Sequence, residues 1–358
     1  MSEFTNKATK LAPIGLISIG VVAYNEEAAL PGLFDEICAQ TLPHNMIEVV
    51  LVNSASSDAT RACMEQFAAH NKTLTDADGF GFANVCVVDN PAKIQAAGWN
   101  VAIDNFSGDA LVRVDAHASI PADFLASVVE VLNEGEHVCG GMRPTTIAPG
   151  EETPWRYTLY LAEESAFGSS VADYRRECKP RYVDSLFHAA YRREVFDAVG
   201  KFNEELLRTE DNDFHYRVRS AGFRIKLDPR INSMQFVRSS LSGMLKQKYG
   251  NGYWVGRTVF VQPKCLEWYH FAPLALVLAA VIELLLGIFA TWTPFVICAL
   301  LYIAACIALS ARSALSVETD KRCLQMFALP FVFICIHVSY GIGTFAGLFA
   351  GVVNILRK

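Results

Sequence analysis

The chain has 358 residues, room for two domains, with 52% hydrophobic and only 19% charged residues. Its positive mean hydropathy is unusual for a soluble enzyme, and a formal net charge of −6 excludes the broad basic footprint of a nucleic-acid binder. The 10 cysteines form no C-x-x-C pair, which argues against a disulfide framework or zinc site and for reduced thiols.

Met1 to Ala12 is polar and has no apolar h-region before Pro13, so no secretory signal peptide is expected there. Ile14–Val22 reads as a buried strand that ends in Ala23-Tyr24-Asn25-Glu26-Glu27. A helix over Ala28–Gln40 follows, with Leu30, Leu33, Phe34 and Ile37 on one face. Ile47–Val52 is a second strand, ending in Asn53-Ser54-Ala55-Ser56-Ser57-Asp58, and Thr60–His70 is helical. Asn84–Val88 leads into Asp89-Asn90-Pro91, Ile94–Asp104 is a helix, and Ala110–Val114 ends in Asp115-Ala116-His117. Strands alternating with helices at this spacing predict a parallel sheet, whose ligands bind at the carboxyl ends of the strands. Further on, Val138–Met142 and Phe187–Tyr191 read as strands, Arg193–Val199 as a short helix, and Thr209–Ala221 as a helix capped by Thr209.

Ser239–Val261 is amphipathic and aromatic-rich, setting Lys246, Lys248 and Arg257 against Leu245, Tyr249, Tyr253, Trp254 and Phe260. It reads as an interfacial segment. Phe271–Trp292, Phe295–Ala311 and Met326–Leu356 are long enough for membrane spans of about 20 residues each. The last of them is open to two readings, one long tilted helix or two short ones broken near Gly341 and Gly343. With the first domain inside, the Arg312–Cys323 connection also falls inside, as the positive-inside tendency asks, whereas Arg357 and Lys358 fit less well if the last run crosses once. The expected organisation is a soluble domain over 1–238, an interfacial segment over 239–270 and about three transmembrane helices over 271–358.

Sugar transfer from a nucleotide diphosphate needs a grip on the base and ribose, charge neutralisation at the diphosphate, and a base for the acceptor hydroxyl. Asp115 stands just past a buried strand, and strand alternation puts His117, two residues on, on the same side, so both can face one ion. Asp211 at a capped helix start suits the base, beside Glu210 in an acid pair able to raise a carboxylate pKa. Each cluster also has a plain structural reading: a strand-end cap for Asp115, dipole-favoured helix capping for Thr209-Glu210-Asp211, and a polar turn for Asn53–Asp58. His188 and His215 read as structural, and Glu283 as an intramembrane acid that either pairs within the bundle or sits near an interface.

Val21-Val22-Ala23-Tyr24-Asn25-Glu26-Glu27, Arg113-Val114-Asp115-Ala116-His117-Ala118 and Arg208-Thr209-Glu210-Asp211-Asn212-Asp213-Phe214 together resemble the motifs of the family 2 glycosyltransferases. With Tyr249-Gly250-Asn251-Gly252-Tyr253-Trp254 and the terminal spans, the pattern is most similar to the succinoglycan-biosynthesis ExoA-like branch. The resemblance implies an α/β GT-A fold (Rossmann-like, with a mostly parallel sheet) in the cytosol, followed by a C-terminal transmembrane bundle in a bacterial inner membrane. It implies Ala23, Tyr24, Asn25, Glu26, Asn53, Ser54, Asp58, Lys93 and Asp115 at the nucleotide sugar. Mg²⁺ or Mn²⁺ would sit at Asp115 and His117, Asp211 would be the base with Glu210 beside it, and Gln247, Tyr253 and Trp254 would lie on the acceptor side. The implied reaction is inverting transfer of a hexose, UDP-linked, to a polyprenyl-diphosphate-linked acceptor among membrane lipids, in exopolysaccharide or cell-surface glycan synthesis. Two departures stand out. Asn53 replaces the usual acid at the second strand end, and Q-x-x-R-W is not present, which favours single-sugar addition over a processive synthase. A polyprenyl-monophosphate sugar transferase and a catalytically inactive scaffold that binds sugar nucleotides are the other readings.

Overall fold

The computed structural model describes residues 11–168, Arg175 and residues 179–357; the polar segment up to residue 10 and Cys178 lie outside it. In chain order the elements are β1 (Ile17–Ala23), α1 (Leu30–Cys38), β2 (Ile47–Asn53), α2 (Thr60–Asp78), β3 (Asn84–Asp89), α3 (Gln95–Asn105), β4 (Ala110–Asp115), α4 (Phe124–Asn133) and β5 (Val138–Met142). Then come β6 (Thr145–Thr146), α5 (Pro154–Glu164), β7 (Arg181–Val183), β8 (Ala190–Arg192), α6 (Arg193–Val199), α7 (Glu210–Ser220), β9 (Ile225–Asn232) and β10 (Gln235–Phe236). The chain closes with α8 (Leu241–Thr258), α9 (Ala272–Phe289), α10 (Thr293–Leu315) and α11 (Leu329–Arg357). The described residues form two compact units, one drawn from 1–142, 177–202 and 217–233, the other from 143–176, 203–216 and 234–358. Against the expected boundary at 238, 143–176 and 203–216 thus cluster with the C-terminal helices.

The first unit is an eight-stranded sheet in the order β3-β2-β1-β4-β8-β5-β9-β7. The strands β3, β2, β1 and β4 are mutually parallel, and β8 runs antiparallel to β4. Every residue of β2 is buried, which is why Ile-Glu-Val-Val-Leu-Val-Asn reads as a continuous apolar run: helices cover both faces. Its one charge, Glu48, accepts hydrogen bonds from Ser18, Asn84 and Ser107. Burial presses the Glu48 carboxyl upward, but those bonds outweigh it and hold the group below the usual range. In α1, Pro31 fits the first turn, and Leu30, Leu33, Phe34 and Ile37 form the buried stripe. The register aligns the strand ends, Ala23 opposite Asn53, Asn53 opposite Asp89, and Val22 opposite Asp115.

One strand expectation shifts. The segment Phe187–Tyr191 becomes β8 only at Ala190, because His188 has φ 46°, a left-handed conformation that a strand does not admit.

The second unit holds the apolar helices. Three helical stretches, Trp268–Phe289, Thr293–Leu315 and Leu324–Arg357, are long and apolar enough to cross a membrane. Within the last, α11 is one unbroken helix, so Gly341 and Gly343 are packing positions and not breaks. A Cβ at Gly343 would fall 2.2 Å from the Tyr249 carbonyl oxygen, and one at Gly347 2.0 Å from that of Tyr253. On the other helix, a Cβ at Gly252 would fall 2.1 Å from the Tyr340 carbonyl oxygen, and one at Gly256 2.3 Å from that of Thr344. Thus α8 and α11 meet backbone to backbone through interleaved glycines. Lys248, placed by its spacing on the wet face of α8, is instead buried. Its Nζ donates to both Glu163 oxygens at 2.9 and 2.7 Å, and burial lowers its pKa.

Candidate active site

In the first unit the loops after β1 and β2 are stitched together. Asn25 Oδ1 accepts from the Ser57 N–H at 2.8 Å, and the Asn25 N–H donates to Ser56 Oγ at 3.1 Å. The Glu26 N–H donates to Thr60 Oγ1 at 2.7 Å and that of Glu27 to Asp58 Oδ2 at 3.2 Å. Asp58 also accepts from the Thr60 N–H at 3.1 Å, just before α2. Ala23 is buried at the strand end, whereas Tyr24 stands 50% exposed with Lys93 Nζ 5.7 Å from its ring centroid. An open aromatic face beside a cation is suited to stack a base and attract phosphate.

The polar ends continue along the sheet. Asn53 Oδ1 accepts from the Ser56 N–H, and its Nδ2 donates to Asp89 Oδ1 at 3.1 Å. Ser54 is buried, and its Oγ accepts from Asn90 Nδ2 at 3.1 Å. The Asn53 amide and then Arg61 hold the Asp89 carboxyl below its ordinary range. A carboxylate thus stands beside Asn53, at the neighbouring strand end. Asn25, Ala55 and Lys93, which follow β1, β2 and β3, all have positive φ, as does His188. Non-glycine residues in that region cost about 1–3 kcal/mol each and gather where function constrains the backbone.

Asp115 is buried at the end of β4. Its N–H donates to His188 Nε2 at 3.2 Å, and its Oδ2 lies 3.7 Å from that nitrogen. With Nε2 accepting, Nδ1 carries the proton and donates to Ser233 Oγ at 2.9 Å. His188, read from sequence as structural, therefore lies directly under the candidate diphosphate carboxylate. His117 falls in the turn beyond β4, where strand alternation no longer applies, and its Nδ1 contacts Glu26 Oε1 at 3.0 Å. Among the described residues no group of three or more His, Cys, Asp or Glu is gathered for a metal. Mg²⁺ and Mn²⁺ take one or two side chains and complete their shell with substrate phosphates and water, so Asp115 and His117 are the candidate ligands.

In the second unit Thr209-Glu210-Asp211 opens α7. Thr209 Oγ1 lies 2.5 Å from Thr258 Oγ1, and Thr258 donates to the Trp254 carbonyl at 2.7 Å. Arg208 NH1 donates to Asn251 Oδ1 at 3.0 Å. Burial, then the charge of Arg238, lowers the Arg208 pKa. Glu210 is buried; Asp211 is half-buried, its Oδ1 accepting from the Asn212 N–H at 2.8 Å. Thus the acid motif is pinned to α8, on which Gln247, Tyr253 and Trp254 also lie, the last two rings in edge contact at 5.7 Å. The Lys248–Glu163 pair had no sequence signal, because its members lie 85 residues apart.

The model of "Glycosyl transferase family 2" matches residues 18–200, more than half of the chain. The chain belongs to glycosyl transferase family 2. Within that family it is 26% identical to the succinoglycan biosynthesis protein ExoA of Rhizobium meliloti over 65% of this chain and 67% of that one. It is 22% identical, over 94% of this chain and 98% of the other, to a Methanococcus voltae dolichyl N-acetyl-alpha-D-glucosaminyl phosphate 3-beta-D-2,3-diacetamido-2,3-dideoxy-beta-D-glucuronosyltransferase. An undecaprenyl-phosphate 4-deoxy-4-formamido-L-arabinose transferase of Pseudomonas aeruginosa is 28% identical over 52% of this chain and 50% of its own. Among solved structures, the mannosyltransferase PcManGT from Pyrobaculum calidifontis, in complex with GDP-Man and Mn²⁺, superposes with a TM-score of 0.57 at 18% identity, covering 92% of this chain and 87% of that one. The expected GT-A architecture, a Rossmann-like sheet followed by long apolar helices, is the one observed for this family 2 member.

Proposed function

We propose that this glycosyltransferase moves a hexose from a UDP-sugar to a polyprenyl-linked glycan at the membrane surface, with inversion. The observation that carries the reading is the alignment of Ala23–Glu26, Asn53–Asp58, Asp89 and Asp115 at the carboxyl ends of adjacent parallel strands. Tyr24 stacks the base, and the Asn53–Asp89 pair meets its hydrogen-bonding edge. Glu26, Ser54 and Lys93 complete the donor pocket, and Asn25 and Asp58 hold its loops. Asp115 and His117 would hold a divalent cation, with the His117 ring in contact with Glu26 through Nδ1. When bound, that ion offsets charge on the departing diphosphate.

Asp211 accepts the proton of the acceptor hydroxyl. The freed oxygen attacks the anomeric carbon, and the bond from that carbon to the diphosphate oxygen breaks on the opposite face, which inverts the centre. Glu210, buried beside it, positions Asp211, and α8 presents Gln247, Tyr253 and Trp254 to the acceptor. The dolichyl and undecaprenyl-phosphate acceptors in the names of the relatives support a lipid-linked acceptor. They also support a second reading, a bare polyprenyl phosphate as acceptor. Purified full-length protein tested against a panel of sugar nucleotides, with Mn²⁺ or EDTA, and with bare or sugar-bearing polyprenyl phosphate, separates the two. Loss of transfer in EDTA is expected; undiminished transfer there contradicts the cation assignment.

A further inference from the structure

We propose that α11 does not cross the bilayer. It lies along the membrane surface on the side that carries Thr209-Glu210-Asp211, its apolar stripe in the lipid, and the α9–α10 pair alone crosses. Length and composition make α11 a candidate span, but its packing argues otherwise.

The outward residues of α11 fall in one stripe: Phe331, Val338, Ile342, Phe345, Phe349 and Val352, each exposed. Their spacing keeps them on one face of a 3.6-residue helix. The opposite face is covered along its length. At its amino end Val332, Phe333 and Ile336 pack in one cluster with Leu159, Ala162 and Met244. Farther on, α8 takes over and runs in the same direction. Ser339 Oγ donates to the Leu245 carbonyl at 2.9 Å, and Arg257 NH1 donates to the Ala350 carbonyl at 3.1 Å.

That partner cannot sit in hydrocarbon. Helix α8 carries Lys246, Gln247, Lys248, Asn251 and Arg257, and intramembrane charges are costly. Its carboxyl end is fastened to the acid motif through Thr258 and Thr209, and its middle through Asn251 and Arg208. The residue of α11 level with this fastening is Ala350, close to the carboxyl end of the helix. A crossing α11 would carry Ala350 to the far side and drag the acid motif through the bilayer with it. A helix of 29 residues, about 43 Å long, also exceeds a hydrocarbon core of about 30 Å, a mismatch that disappears when it lies flat.

The other two stretches behave differently. Their mean hydropathies are 2.5 and 2.3 against 1.8 for the last, and 11% of each is buried against 39%. Nearly bare of protein, they suit lipid on all sides. The same arrangement resolves the charge pattern: Lys321, Arg322 and Arg357 all fall on one side, as the positive-inside tendency asks.

The test uses the full chain in sealed membrane vesicles of both orientations. Protease-cleavable tags are placed before Met1, in the Thr291–Thr293 turn, or after Lys358. The N-terminal and C-terminal tags are expected to be cleaved in the same vesicle orientation and the turn tag in the opposite one. A C-terminal tag cleaved together with the turn tag overturns the surface placement of α11. A turn tag cleaved together with the N-terminal tag overturns the crossing by α9 and α10. Neither readout depends on donor or acceptor, so the topology stands or falls apart from the proposed reaction.

Discussion

Asp211 is the residue on which the proposed chemistry turns. Asp211→Asn keeps the shape of the side chain and leaves the Thr209–Thr258 contact untouched. Removing a general base costs about 10²–10⁴-fold in rate, so the variant is expected to lose transfer by that factor with an unchanged melting temperature. Asn53 allows a test of electrostatics. The Asp89 carboxyl is held low by Asn53 and Arg61, so its contribution to stability is present above the ordinary carboxylate pKa and fades as pH falls through the lowered value. Asn53→Asp replaces a donor with a second carboxylate, and two adjacent acids cannot both ionise without cost. Its melting temperature is expected to fall below wild type near neutral pH and to approach it as pH drops; a constant gap across pH 4–8 contradicts the Asn53–Asp89 pairing. We propose that His188 positions Asp115. His188→Asn tolerates the left-handed backbone at φ 46° but cannot reproduce both ring contacts. Loss of such a supporting contact costs about 10–100-fold in metal affinity or activity. Activity is expected to fall on that scale with a weakened Mn²⁺ response; an unchanged Mn²⁺ titration contradicts the role.

At the scale of elements, the sequence reading succeeded where burial and periodicity coincide. The strands β1, β2 and β4 were legible because covered strands become apolar runs that stop abruptly at polar ends. Helix α1 was legible from its stripe. Legibility failed where a distant partner decides. Nothing within Phe187–Tyr191 signals a left-handed residue, so the strand was begun too early. Lys248 followed the polar periodicity of its helix, and its burial goes with a distant partner, Glu163 of α5. Gly341 and Gly343 left one helix or two open, because a glycine in a lone sequence cannot show that another backbone lies against it. Gly347→Leu tests the seam. With a Cβ already 2.0 Å from the Tyr253 carbonyl oxygen, no rotamer relieves the clash, and α8 must move. The variant is expected to lose about 1–3 kcal/mol in detergent unfolding, the usual cost of overpacking, and to lose activity because α8 is pinned to the acid motif through Thr258 and Thr209. Wild-type stability would mean that the two helices are not in contact.

The whole molecule is a family 2 glycosyltransferase, proposed to work on lipid-linked sugars. The ordered motifs made the family legible early; the identity of the acceptor was not, because the sequence does not display how the C-terminal helices pack and which side chains they leave outward. The most direct measurement is transfer of radiolabel from a panel of labelled sugar nucleotides into lipid-extractable product by the purified full-length protein, with Asp211→Asn alongside. The expected result is labelled polyprenyl-linked product from one donor, with inverted anomeric configuration, reduced at least a hundredfold in the variant. Failure of every donor to release nucleotide or label lipid, or equal rates in the two proteins, would contradict the account.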